Sequence, residues 1–168
     1  VQTCALPIYR DGLYDAMPSI WPSDALQYNG GGVAHTSAYH YFHLKTAAEF
    51  AVLIGENPQP YIDEAQRVLE AMNNRLWQAD EGVYAEYVDV MGEQLAHPIP
   101  AVWSIYHALD SEVPNAFQSW QMADYLRYEH PHIPVHGEQV PPGDWFVVPS
   151  SEWMPYIWSL NNVAKGEI

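Results

Sequence analysis

Basic side chains are scarce in this chain: six Lys and Arg stand against 21 Asp and Glu over 168 residues, a formal net charge of −15. Affinity for nucleic acid rests on cationic groups that neutralise backbone phosphates, so this balance argues against DNA or RNA as a partner. Neutral or cationic partners are favoured instead. Cysteine is nearly absent, with Cys4 the single example. That excludes a disulfide framework or a thiolate metal site and leaves the cell compartment open. No stretch approaches the roughly 18 apolar residues that a transmembrane helix requires, so no membrane-spanning segment is expected.

What is present points to a folded, aromatic-rich domain. A hydrophobic content of 48% is enough for a core, and the length suits one domain or part of a larger one. Seven Trp and twelve Tyr exceed what such a core needs, and the surplus lies in loops beside Pro and Gly. Flat aromatic faces of that kind stack on the C–H faces of sugar rings, whose hydroxyls then need carboxylates and amides. The first eight residues, VQTCALPI, read as the translation of a common sequencing adapter. The natural sequence is therefore expected to begin near Tyr9, already inside a gene, and residues 9–168 are expected to form a fragment of a single domain, truncated at both ends.

Helical periodicity dominates the rest. Tyr41, Leu44, Ala48, Ala51 and Val52 recur at helical spacing within Ser37 to Ile54, and Gly55 follows as a stop. Pro60 opens a second helix to Trp77, with Tyr61, Ala65, Val68, Leu69, Met72 and Leu76 on one face. The short connection ENPQP makes the two an antiparallel hairpin. Gln78 to His97 reads as a short β-hairpin or extended excursion, because Val83, Ala85 and Tyr87 alternate with Tyr84, Glu86 and Val88 ahead of a Met91-Gly92 turn. A second helical pair follows, with Val102, Ile105, Tyr106 and Leu109 on its first member and Ala116 to Tyr128 as its second. His130 to Pro149 holds five prolines and predicts a long loop, and a last helix is expected from Ser150 or Ser151. Units of about 40 to 50 residues suggest a mainly α helical toroid in which each hairpin buries its face against its neighbours. Two hairpins and one further helix fit this length. A partial ring leaves side surfaces bare, so poor stability is expected of the chain alone.

The stretch Trp21 to Gly32, WPSDALQYNGGG, crowds aromatics and an acid into a glycine-rich loop before the first helix, as an active-site rim would. Tyr28, Asn29, His35 and the glycines Gly30 to Gly32 are candidates for close approach to a ligand. The glycine run lacks the lysine of a phosphate-binding loop and the dinucleotide pattern, so no nucleotide cofactor is expected. Glu86 and Asp89 form a second acidic site, equally consistent with sugar hydroxyl contacts and with a solvated strand face. Glu152 suits a substrate contact, a catalytic group or, as favoured here, an acid in the first turn of a helix. Trp153, Tyr156 and Asn161 make a sugar-contact set, with Trp158 expected in the core. His40 and His43 lie one helical turn apart, and His130, His132 and His136 share a loop. Without an HExxH pattern or thiolates these are read as structural, and no metal is expected.

Three stretches carry a resemblance. Ser23-Asp24-Ala25-Leu26-Gln27-Tyr28 precedes the helix SAYHYFHLKTAAEFAVLIG, Leu76-Trp77 precedes GVYAEY, and the chain later reads Trp153-Met154-Pro155-Tyr156-Ile157-Trp158-Ser159-Leu160-Asn161. In order and spacing they resemble six-hairpin (α/α)6-barrel glycosidases, the clan of trehalases and processing α-glucosidases. The wording is similar above all to an uncharacterised bacterial family of six-hairpin-glycosidase-like proteins. The resemblance implies a partial (α/α)6 toroid, carbohydrate as partner, hydrolysis of glycosidic bonds and, by analogy, a periplasmic or secreted location. It also implies that Asp24 is the general acid, with Trp21, Leu26 and Tyr28 desolvating its carboxyl. Glycoside hydrolysis needs two carboxyl groups, and Glu86 is the second candidate in this sequence. The clan's usual base lies beyond the Trp-Pro-Trp-Asn helix, after Ile168, and Met154 replaces its glycine. Two other readings stand beside this one: a non-catalytic carbohydrate-binding member, or a toroid lyase or epimerase in which Tyr or His abstracts a proton.

Overall fold

A computed structural model of the protein describes residues 12–14, 31–89, 92–132, 138 and 142–143. They are mainly helical, with two small antiparallel sheets between the helices. The short strand β1 (Gly32–Val33) leads directly into α1 (Ala34–Leu53), and α2 (Gln59–Arg75) returns antiparallel beside it. α1 stops because Gly55 takes φ +76, letting its N–H reach Val52 O while Glu56 N–H reaches Ala51 O. That pair of reversed bonds satisfies carbonyls the helix would otherwise leave open. Pro60, whose missing N–H costs nothing in the first turn, starts α2.

α2 buries Ala65, Val68, Ala71 and Met72, a stripe at helical spacing that packs on α1. Tyr61, expected on that face, is instead 41% exposed, and Val52 of α1 is 62% exposed. Both sit beside the turn that joins α1 to α2. The remaining expected core positions hold: Ala48, Ala51, Ala65, Val68, Met72 and Leu76 are buried, with Tyr41, Leu44 and Leu69 packed against them.

The segment after α2 forms two hairpins where one was expected. β2 (Trp77–Gln78) pairs with β3 (Val83–Tyr84), placing Trp77 opposite Tyr84, and Gly82 at φ +71 makes the turn. β4 (Tyr87–Val88) then lies between β1 and β5 (Ala96–His97). The expected alternation fails because Val83, Tyr84, Ala85 and Glu86 are all buried. This run is enclosed on both sides, and period 2 marks only strands with one wet face.

α3 (Val102–Asp110) packs beside α1. All seven residues from Val102 to Ala108 are buried, including Ser104 and His107. A helix enclosed all round belongs to the middle of a helical layer. α4 (Ala116–Asp124) begins with a reciprocal cap, in which the Asn115 side chain accepts from Phe117 and Gln118 N–H while the Gln118 side chain accepts from Asn115 N–H. It continues as a wider π-turn over Tyr125–Glu129 and a 3-10 turn over His130–His132. Leu13, Met72, Leu76, Val83, Ile105 and Met122 form the centre of one core that joins α2, β3, α3 and α4. No described helix is long and apolar enough to cross a membrane. Nearly all of the expected loop after His132 and the whole of the expected last helix lie outside the described residues.

Candidate functional site

Glu86 occupies the bend between β3 and β4, and its backbone is pinned on both sides. Its N–H donates to His97 O at 2.8 Å, and its carbonyl accepts the Ala34 N–H at 2.9 Å, the first amide of α1. Its carboxylate turns to another helix: Oε2 accepts the Ala101 N–H, at the N-cap of α3, at 2.8 Å. One residue thus ties together the N-terminal ends of α1 and α3. Helix N-termini present unpaired N–H groups and partial positive charge, which favours a carboxylate at this place.

The other carboxylate oxygen, Oε1, lies 3.9 Å from His35 Nδ1. His35 is the second residue of α1 and only 2% exposed, and its Nδ1 has no hydrogen-bond partner among the described residues. Ser104 Oγ on α3 is likewise buried without one among them. The His35 ring is 6.4 Å from that of His107, which is 4.3 Å from the Tyr39 ring, and Tyr39 Oη stands 3.4 Å from His107 Nε2. Glu86, His35, His107 and Tyr39 therefore run as a polar seam between α1 and α3 through an otherwise apolar interior. Unpaired buried polar atoms are costly, so such a seam is unusual in a purely structural helix contact.

Asp89 goes elsewhere. Its Oδ1 accepts the His97 Nε2 proton at 2.9 Å, and the His97 ring stacks on Tyr87 at 3.9 Å. Both members of the Asp89–His97 pair are partly exposed, so this imidazole meets solvent while the one beside Glu86 does not. Chemically, Glu86 is a fixed acceptor that faces His35, whereas Asp89 orients an accessible imidazole. The two carboxylates, grouped together in the sequence, serve different partners.

The glycines also have a structural use. Gly31 takes φ +105, and a Cβ on Gly32 would meet the Leu13 side chain at 2.6 Å. Close approach is needed there, toward Leu13 and the β4 strand. His40, read as structural, stacks on Tyr14 at 3.7 Å, and burial, reinforced by the neighbouring His43, holds its pKa below the ordinary value. No pattern in the sequence marks His107 or Ser104, because a helix buried on every side has no periodicity to show which polar residues point inward, and Tyr39 on α1 lies off the apolar spacing read there.

Trp21, Asp24, Tyr28, Asn29, Glu152, Trp153, Tyr156 and Asn161 lie outside the described residues. Of the candidate residues, the structure brings together His35 and Glu86 and leaves Asp89 on the neighbouring hairpin. Among the described residues, no group of three His, Cys, Asp or Glu is placed to hold a metal ion. No protein-family model matches the chain, and a comparison with curated proteins finds no match.

Proposed function

We propose that this chain carries part of a glycoside hydrolase domain built as an (α/α)6 ring, with Asp24 as general acid and Glu86 as a second carboxylate of the site. The observation that supports it is the position of Glu86, which joins the N-terminal ends of two adjacent helices, α1 and α3. In the sequence, the glycine-rich stretch that contains Asp24 comes immediately before β1 and α1. α1 and α3 are alternate helices in the chain yet pack on each other, as two inner helices of a ring would, and α2 packs on α1 as well. Sugar-stacking aromatics in the loops and the strong acidity of the chain fit a neutral saccharide. The step from this architecture to hydrolysis rests on the sequence resemblance.

Hydrolysis of a panel of aryl glycosides and oligosaccharides, followed for the wild-type chain and for Asp24→Asn, tests the reading. A general acid contributes about 10² to 10⁴ in rate, so Asp24→Asn should lower kcat/KM by that factor while oligosaccharide binding persists. Turnover unchanged in Asp24→Asn removes the acid role. Saccharide binding with no turnover by a protein that also carries the base expected after Ile168 would make it a binding member of the superfamily.

One observation favours a second reading. The Tyr39–His107 contact pairs a phenol with an imidazole, the groups that abstract protons in toroid lyases and epimerases. Solvent deuterium entering a sugar C–H position without net hydrolysis would select that reading.

A further inference from the structure

Two polar side chains where α1 meets α3 are buried without a bond to the protein around them. His35 Nδ1 and Ser104 Oγ each belong to a residue only 2% exposed, and neither has a hydrogen-bond partner among the described residues. A buried polar atom left unbonded costs free energy, so a fold that keeps two of them at one helix contact calls for a reason.

Both belong to the surroundings of Glu86. Its Oε2 accepts the Ala101 N–H at 2.8 Å, whereas its Oε1 faces His35 Nδ1 at 3.9 Å, too far for a hydrogen bond. Ser104 follows Ala101 by three residues, which puts it one turn along α3 from the amide that Glu86 holds. A single hydroxyl oxygen, about 2.8 Å from each, can bridge Oε1 and Nδ1. The Glu86 side chain keeps 10% of its surface in solvent against 3% for His35, so the pair lies at the margin of the core.

The charge at this place selects what can bridge the two atoms. Glu86 already supplies the acceptors for amides at the starts of α1 and α3, so an anion would meet its charge rather than open helix ends. A metal ion needs several converging ligands, and no three described His, Cys, Asp or Glu provide them. A neutral hydroxyl suits both atoms: it donates to the carboxylate and accepts from an Nδ1–H, and the Ser104 hydroxyl can do either in turn. We propose that His35, Glu86 and Ser104 form a recognition site for one hydroxyl of the bound saccharide, which bridges Glu86 Oε1 and His35 Nδ1 and meets Ser104 Oγ. This rests on the carbohydrate reading above and adds what the protein selects: a sugar ring whose hydroxyl at one position is present and unsubstituted. A resident water is the other source of such an oxygen, and stability separates the two.

NMR titration of the full chain with the methyl glycosides of glucose, galactose and mannose, and with their monodeoxy forms, tests it. For a glycoside that binds, one monodeoxy form should bind about tenfold or more weakly, because a carboxylate and an imidazole lose their shared partner. His35→Leu should bring the parent glycoside down to the level of that form. His35→Asn, whose amide reaches the Nδ1 position, should restore part of the difference. Ser104→Ala removes an unbonded buried oxygen, so without saccharide its Tm should equal or exceed that of the wild type, while the rise in Tm on adding saccharide shrinks. Three results would each overturn this site and leave the hydrolase reading in place: equal affinity for every monodeoxy form, discrimination that survives both His35→Leu and Ser104→Ala, or a Ser104→Ala variant that loses Tm yet keeps its saccharide affinity, the mark of a structural water. Failure of every glycoside to bind would remove both.

Discussion

A Cβ on Gly32 would stand 2.6 Å from Leu13 Cδ1 and 2.7 Å from Leu13 Cβ, closer than packed carbon atoms tolerate. Gly32→Ala is therefore expected to cost about 1–3 kcal/mol through overpacking, read as a lower denaturation midpoint with an unchanged slope. The glycine run was visible in the sequence; its partner, 19 positions earlier in the chain, was not. The same limit explains His35 and His107, whose burial depends on how α1 and α3 meet rather than on any local pattern. Titration adds a second expectation at this scale. His40 and His130 both have depressed pKa values, His40 through burial and the charge of His43, His130 through burial. The unfolded chain binds these protons more readily, so the associated stability is present above about pH 6.5 and is lost as pH falls through the lower folded values. Thermal melts should show Tm declining from pH 7.5 to 5, and His40→Phe should make the decline shallower. A flat profile in the wild type would contradict it.

At the scale of elements, the helices were legible where local signals made them and less so where tertiary contacts did. Gly55 and Pro60 punctuate the α1–α2 hairpin in sequence and in structure alike. The start of α1 was placed three residues late, at Ser37 rather than Ala34. No side chain caps that end: Tyr14 O and Glu86 O accept the Val33 and Ala34 N–H groups, and neither is local. α4 is the opposite case, because Asn115 and Gln118 spell a reciprocal cap within four residues. Asn115→Ala should cost about 1 kcal/mol. A larger loss is expected at Asn73, where Oδ1 accepts from Tyr84 Oη at 3.1 Å and from Gln118 Nε2 at 2.9 Å, linking α2, β3 and α4. Removing that acceptor leaves two donors stranded, one of them in the core, so Asn73→Ala should cost about 1–3 kcal/mol in chemical denaturation, and Tyr84→Phe in the same background should restore part of it.

At the scale of the molecule, the described residues combine an apolar core with a patch of exposed large hydrophobics. Phe50, Val52, Leu53 and Ile54 are all more than half exposed at the end of α1, a concentration of large hydrophobics that water does not favour. Leu53→Lys with Ile54→Lys should lower self-association in sedimentation velocity while shifting unfolding free energy by no more than about 0.5 kcal/mol. A mainly helical architecture with paired helices was readable from periodicity, whereas the enclosure of α3 and the double hairpin were not, since both arise from contacts between distant segments. The saccharide site is proposed to lie at the shared N-terminal end of α1 and α3. Its most direct test is an NMR titration of the isotopically labelled chain with an iminosugar, an analogue of the charged glycosyl transition state. The account predicts shifts concentrated on the amides of Gly31 to His35, Glu86 and Ala101; shifts confined to other parts of the chain, or none at saturating concentration, would contradict it.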